Sequence, residues 1–153
     1  MYRKILAPLD GSEFSEYSLE HVKAVAKGCR AKEVVLLRVI EPLPQTEDIG
    51  GVTTEDWYRD AQAKVRAETE KYVSQVADKL KKEGIAAKGI VVLGRAADEI
   101  LDYATKNQTD LIIMGTHGRS GVSRWIIGSV ADKIIRHSPV PVLVASPAAL
   151  RVS

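Results

Sequence analysis

The chain has 153 residues, with 22 Lys and Arg against 20 Asp and Glu and a formal net charge of +2 at pH 7. That length fits one ordinary domain that needs no disulfide or metal staple, and the balanced charge gives no case for nucleic acid as a partner. Apolar residues make up 45% and charged residues 27%, as in a soluble globular domain, and the single Cys29 excludes an internal disulfide and fits a reducing compartment.

Met1-Tyr2-Arg3-Lys4-Ile5 is expected to enter structure at once, so no signal peptide is expected. Ile5-Leu6-Ala7-Pro8-Leu9, ended by Asp10-Gly11-Ser12, reads as a buried strand. Ser12 offers an N-cap for one helix carrying Phe14, Tyr17, His21, Val22, Val25 and Cys29 at helical spacing. Glu33 to Ile40 is the second strand, and the stretch from Glu41 to Thr53 is a long polar loop. A long helix follows from about Thr54 to Glu83, with the stripe Tyr58, Ala61, Val65, Tyr72, Val76 and Leu80 and a stop at Gly84. Lys88 to Leu93 is the third strand. Gly94-Arg95 turns it into a helix from Ala97 to Lys106, with Ile100, Leu101 and Ala104 inward. Leu111 to Met114 is the fourth strand. After a glycine loop, a helix runs from Ser129 to His137, and Val140 to Val144 is the fifth strand. Pro141 suits the start of that strand or a sheet edge.

Strict β-α alternation with near-continuous Val/Ile/Leu strands means a parallel sheet with helices on both faces. The expected fold is a three-layer α/β/α sandwich around a five-stranded parallel sheet of order 3-2-1-4-5, the flavodoxin-like arrangement. Residues 1–148 should form the single domain and 149–153 a C-terminal tail. No apolar run approaches the length of a membrane span, so the expectation is a cytoplasmic protein with no membrane partner.

In such open sheets, ligands bind outside the carboxyl ends of the strands at the switch point. Here that point lies between strands 1 and 4. Pro8, Leu9 and Asp10 end the first strand, and Val39 stands at the end of the second. The fourth runs into Met114-Gly115-Thr116-His117-Gly118-Arg119-Ser120-Gly121. Nine residues separate Gly118 from Gly128, which opens Gly128-Ser129-Val130-Ala131 at a helix start. Glycines admit a ligand close to backbone N–H groups, and a helix N-terminus favours an anion. Backbone groups near Val39 suit an adenine edge. Asp10 suits a ribose hydroxyl or a metal ion such as Mg²⁺. The glycine loop and Ser129 suit phosphates. Ser129 also reads as an N-cap, with Asp132 completing a capping box.

The pattern Gly115-x-x-Gly118, nine residues, Gly128-Ser129 resembles the nucleotide motif of the universal stress protein family, in its ATP-binding branch. The likeness runs through the opening Lys4 to Ser12, the strand Asp110 to Gly115 and the closing His137 to Val144. It implies the fold shared with the adenine nucleotide α-hydrolases and a homodimer joined through the fifth strands. It also implies bound ATP, or ADP or AMP, with adenine near Val39 and ribose near Asp10 and Gly115. The phosphates would lie near Gly118, Arg119, Gly128, Ser129 and Val130. A branch that has lost ATP binding replaces these glycines; this chain keeps them.

Other functions on similar folds fail at the residues. A receiver domain needs an Asp after strand 3 and a Lys after strand 5, where this chain has Leu93-Gly94 and Ala145-Ser146. A phosphate loop of the G-x-x-x-x-G-K-[ST] type is absent, as is a dinucleotide G-x-G-x-x-G after strand 1. His117 lacks an identifiable catalytic partner and reads as a lining residue; Arg95 reads as surface. Two classes remain: an ATP-binding regulatory or stress protein, and a slow Mg-dependent ATPase. Hydrolysis needs a positioned water and usually a base, and none stands out, so the first is favoured.

Overall fold

Val34, Val35, Leu36 and Leu37 are all buried, as consecutive apolar residues must be in a strand covered on both faces. The computed structural model describes residues 1–43, 55–116 and 127–146. In chain order the elements are β1 (Lys4–Pro8), α1 (Glu13–Glu16), α2 (Ser18–Cys29), β2 (Glu33–Ile40), α3 (Glu55–Lys82), β3 (Ala87–Leu93), α4 (Ala96–Lys106), β4 (Leu111–Gly115), α5 (Ser129–His137) and β5 (Val142–Ala145). The strands form one sheet in the order β3-β2-β1-β4-β5. Every pairing is parallel, so the expected topology holds.

Strand alternation sends side chains to two cores. Ile5, Ala7, Val34 and Leu36 pack against Val22 and Ala26 of α2 and Val76, Ala77 and Leu80 of α3. Leu6, Val35, Leu37 and Ile112 pack against Ile100 and Ala104 of α4 and Ala131 and Ile134 of α5. At the amino end of the sheet, the Asp110 carboxylate accepts from the amides of Arg3 and Lys4 at 2.9 Å each and ties β1 to β4. Among the described residues, no helix is long and apolar enough to cross a membrane.

Several local expectations change. The helix expected to run on from Ser12 is divided at Tyr17 into α1 and α2, and the Ser18 hydroxyl donates to the Ser15 carbonyl at 2.6 Å across the division. Ser12 still caps the first turn, its hydroxyl accepting from the Ser15 amide at 3.2 Å. The buried side of α3 is Val73, Val76, Ala77 and Leu80; Tyr58, Ala61 and Val65 stay partly exposed. Only the last third of that helix lies over the core. β5 begins at Val142, and Pro141 precedes it with its carbonyl accepting from the Ile112 amide at 3.0 Å. The cap of α5 is Gly128 rather than Ser129, and among the described residues no side chain caps that helix. Ser129 is already helical, and the Asp132 carboxylate pairs with Arg136 at 3.1 Å instead of reaching back.

Candidate functional site

β1 sends its chain to one side of the sheet and β4 to the other, so the carboxyl ends of these neighbours part and leave a crevice. A cavity of about 270 Å³ lies there. Pro8, Leu9 and Asp10 line it from the end of β1, and Val39 from β2. Met114, Gly115 and Thr116 enter from the end of β4, and Gly128, Ser129, Val130 and Ala131 from the start of α5. The expected lining residues among those described therefore meet in one place. His117, Gly118, Arg119, Ser120 and Gly121 lie outside the described residues, as do most of the loop from Glu41 to Thr53 and the expected tail.

Leu37, Arg38, Ser15, Ala96 and Ile100 also line the cavity and were not singled out from the sequence. Ile100 looked like an ordinary core residue of α4, and Ala96 lay before the expected helix start at Ala97. Arg38 was hidden inside an apolar strand, although one cation in Val34 to Ile40 was itself a signal.

The backbone of β2 explains why Val39 matters. The Leu37 carbonyl accepts from the Leu9 amide at 2.9 Å, whereas the Ile40 carbonyl, on the opposite edge, accepts from Gly94 at 2.9 Å. Backbone direction alternates along a strand, so Val39 turns its N–H and C=O to the β1 side. β1 has ended at Pro8, so these groups face the crevice. The Arg38 guanidinium donates to the Val39 carbonyl at 3.3 Å. A carbonyl oxygen has two lone pairs, so it still has capacity for a ligand donor.

Asp10 is held by the turn that follows it. Its Oδ1 accepts from the Ser12 amide at 2.9 Å and from the Ser12 hydroxyl at 2.5 Å. Its own amide donates to the Ser15 hydroxyl at 3.2 Å. Partial burial raises the pKa of this carboxyl, but the bonds from Ser12, the Ser15 hydroxyl and the charge of Arg38 outweigh it and hold the group below the ordinary value. The cavity thus contains a fixed carboxylate, suited to sugar hydroxyls or a cation. Behind it, the Tyr72 hydroxyl donates to the Glu16 carboxylate at 2.7 Å and joins α3 to α1. Burial, and then that carboxylate, push the Tyr72 phenol well above its usual value.

The opposite wall is built from backbone. The Gly128 amide donates to the Thr116 carbonyl at 2.8 Å, and the Thr116 amide to the Ala145 carbonyl at 3.0 Å. The chain is therefore pinned where it leaves β4 and where it enters α5. Among the described residues, no side-chain cap bond is made to the first amides of α5, so they suit an anion. Among the described residues, no group of three or more His, Cys, Asp or Glu could hold a metal by itself. A cation at Asp10 would need ligands from the bound molecule.

Two other concavities flank the site. A groove of about 660 Å³ runs between the first half of α3 and the end of β3, past Tyr58, Arg59, Arg66 and Leu93. It is larger but lies on the outer edge, away from the point where the strand ends converge. A cleft of about 390 Å³ adjoins the switch-point cavity and shares Ala96, Ser129 and Val130 with it.

The family model described as "Universal stress protein family" matches residues 1–146. The universal stress protein MJ0577 of Methanocaldococcus jannaschii is 34% identical, with 94% of each chain covered. The universal stress protein YxiE of Bacillus subtilis is 30% identical over 94% of this chain and 99% of its own length. The solved structure of MJ0577 superposes with a TM-score of 0.82 at 35% identity, covering 96% of this chain and 97% of that one. A universal stress protein crystallised in complex with cAMP shares the fold, with a TM-score of 0.67 at 20% identity over 95% of this chain and 97% of its own.

Proposed function

Because the chain belongs to the universal stress protein family, we propose that it is an ATP-binding regulatory member that holds its nucleotide at the switch point between β1 and β4. The observation that carries this is the convergence of three segments distant in sequence on one cavity. The backbone of Val39 takes the adenine edge, and Leu37, Ile100 and Met114 supply apolar surface for the ring. Asp10 takes a ribose hydroxyl, or Mg²⁺ carried in with the phosphates. Gly128, Ser129 and Val130 take phosphate, together with the loop that holds Gly118 and Arg119. A cAMP complex of a protein with this fold supports a nucleotide as the ligand class, and ADP and AMP are the other candidates. The same family reading brings a homodimer joined through β5.

The cavity favours holding ATP over hydrolysing it. Among the described lining residues, Asp10 and Arg38 are the titratable side chains. Asp10 is kept ionised but is committed to Ser12, and Arg38 is not a base at neutral pH. A slow Mg-dependent ATPase is the second reading. In single-turnover conditions we expect ATP to survive for hours with and without Mg²⁺; steady release of ADP would establish the ATPase.

Mass analysis of small molecules released from protein purified without added ligand, followed by calorimetry, tests the ligand itself. ATP should bind wild type, and Gly128→Val should abolish binding while circular dichroism stays native. The backbone of Gly128, at φ −59° and ψ 151°, is open to any residue, so the fold does not require glycine there. Wild-type affinity in Gly128→Val would overturn the placement of the phosphates.

A further inference from the structure

The groove between the first half of α3 and the end of β3 holds about 660 Å³, within the roughly 300–1,000 Å³ usual for small-molecule sites. It shares no lining residue with the switch-point cavity. It exists because α3 buries Val73, Val76, Ala77 and Leu80 against the sheet but fully buries no residue before Val73. Glu55, Tyr58, Arg59, Gln62, Ala63 and Arg66 line the groove from α3, and their spacing of three and four residues makes them one face of the helix. Leu36 and Ala87 pack on the α3 side of the sheet, so alternation puts Ile40, Val91 and Leu93 there too, as the apolar floor. Leu93 is exposed, and the exposed Trp57 meets Tyr58 edge to face with ring centroids 5.3 Å apart. Apolar surface is therefore open to water here, beside a wall where Arg59 and Arg66 outnumber Glu55.

We infer that this groove binds an amphipathic anion, a medium-length apolar chain ending in one carboxylate. The site is independent of the nucleotide reading above. The chain lies on Ile40, Val91 and Leu93 and against Tyr58, and the carboxylate meets Arg66. Arg66 is the less exposed of the two arginines, its side chain 55% open against 74% for Arg59. Its Nε donates to Glu70 at 3.0 Å, and a guanidinium has five N–H donors, so one bond to Glu70 leaves capacity for a second carboxylate. The pair with Glu70 is a surface pair and weak. Arg66 and Tyr58 stand eight residues apart, about 12 Å along the helix, which is room for the chain between the acid and the ring. Glu55 opposes an anion but lies about three turns from Arg66.

Calorimetry with monomeric octanoate, decanoate, decanol and decyltrimethylammonium tests this. Wild type should bind decanoate about threefold to fifteenfold tighter than octanoate, as two further methylenes in a partly open groove allow. Decanol should bind about tenfold more weakly than decanoate, and the cation not measurably. Arg66→Gln should bring decanoate down to the affinity of decanol. Ala63→Glu, at an exposed helical position that suits glutamate, should remove binding by setting a like charge in the groove. Thermal melts check that both variants fold. A chain seated against Tyr58 changes the surroundings of Trp57, so decanoate should shift tryptophan emission in wild type and not in Trp57→Phe. Decanol bound as tightly as decanoate, or decanoate affinity unchanged in Arg66→Gln or Ala63→Glu, would overturn the inference. Failure of wild type to bind decanoate would overturn it too and leave the groove to a second copy or a protein partner. Co-sedimentation with phosphatidylglycerol vesicles in place of decanoate binding would make this face a membrane contact and overturn the free acid as its ligand.

Discussion

The Asp10 carboxylate is shaped by its own turn before any ligand arrives, since Ser12 gives it two donors and Ser15 receives its amide. Its folded-state pKa lies below the ordinary value near 3.9. A depressed carboxyl pKa contributes stability that is present above the unfolded value and is lost as pH falls through the folded value. Asp10→Asn should therefore lower the melting temperature at neutral pH, and the gap from wild type should close below about pH 4. A gap that stays constant down to pH 2.5 would show that the charge of Asp10 contributes nothing to the fold. Most of this corner was legible in the sequence, because Asp-Gly-Ser after an apolar run signals both a turn and a helix start. Arg38 was not. Its importance comes from β1 ending at Pro8, which exposes the neighbouring Val39 backbone, and that relation exists only once the strands are paired.

At the scale of elements, strands and helices could be read because each buries one continuous apolar pattern, and pattern survives folding. Some ends and caps could be read as well, such as the Ser12 cap and the span of α5 from Ser129 to His137; others could not, because they depend on backbone angles. Gly128 rather than Ser129 caps α5 since the chain is held there by Thr116, a contact between the two ends of the β4–α5 connection. The stripe of α3 was read over its full length, yet only its last third meets the sheet, where β3 allows close approach. Gly89 is the point of approach. A Cβ on it would lie 2.9 Å from the backbone carbon of Val73 and 2.8 Å from Val73 Cγ2. Rotation of Val73 could relieve the second contact but not the first. Gly89→Ala should thus destabilise the protein by about 0.5–2 kcal/mol, an overpacking cost of about 1–3 kcal/mol being partly offset by the ~0.5–1 kcal/mol that glycine loses in a strand. Urea unfolding measures it. A midpoint at or above that of wild type would mean that α3 can lift off β3 without loss.

For the whole molecule, β5 poses a problem that one chain does not solve. It is one of the two outer strands of the sheet, and its residues Val142, Leu143 and Val144 are apolar and only partly covered. Ile127, just before α5, and Ile135 within it are 48% and 45% exposed. An apolar edge strand invites pairing with another chain, and two-fold pairing of two β5 strands would close it. The register makes this testable with one residue. The Pro141 and Ala145 carbonyls accept from Ile112 of β4 and from Thr116 just beyond it, so by alternation the Val142 amide points to the open edge. Proline is tolerated at the first position of a strand, and Val142 is that position. Val142→Pro should keep the fold and remove one outward N–H from each protomer, two bonds across a two-fold interface. At about 0.5–1.5 kcal/mol each, that weakens the dimer by about one to two orders of magnitude. Sedimentation velocity should show wild type at twice the 16.7 kDa chain mass and Val142→Pro shifting to monomer at low micromolar concentration. A monomeric wild type would remove β5 as an interface. A variant that dimerises as tightly as wild type would move the interface elsewhere, and the exposed Ile127 and Ile135 would be the next surface to test.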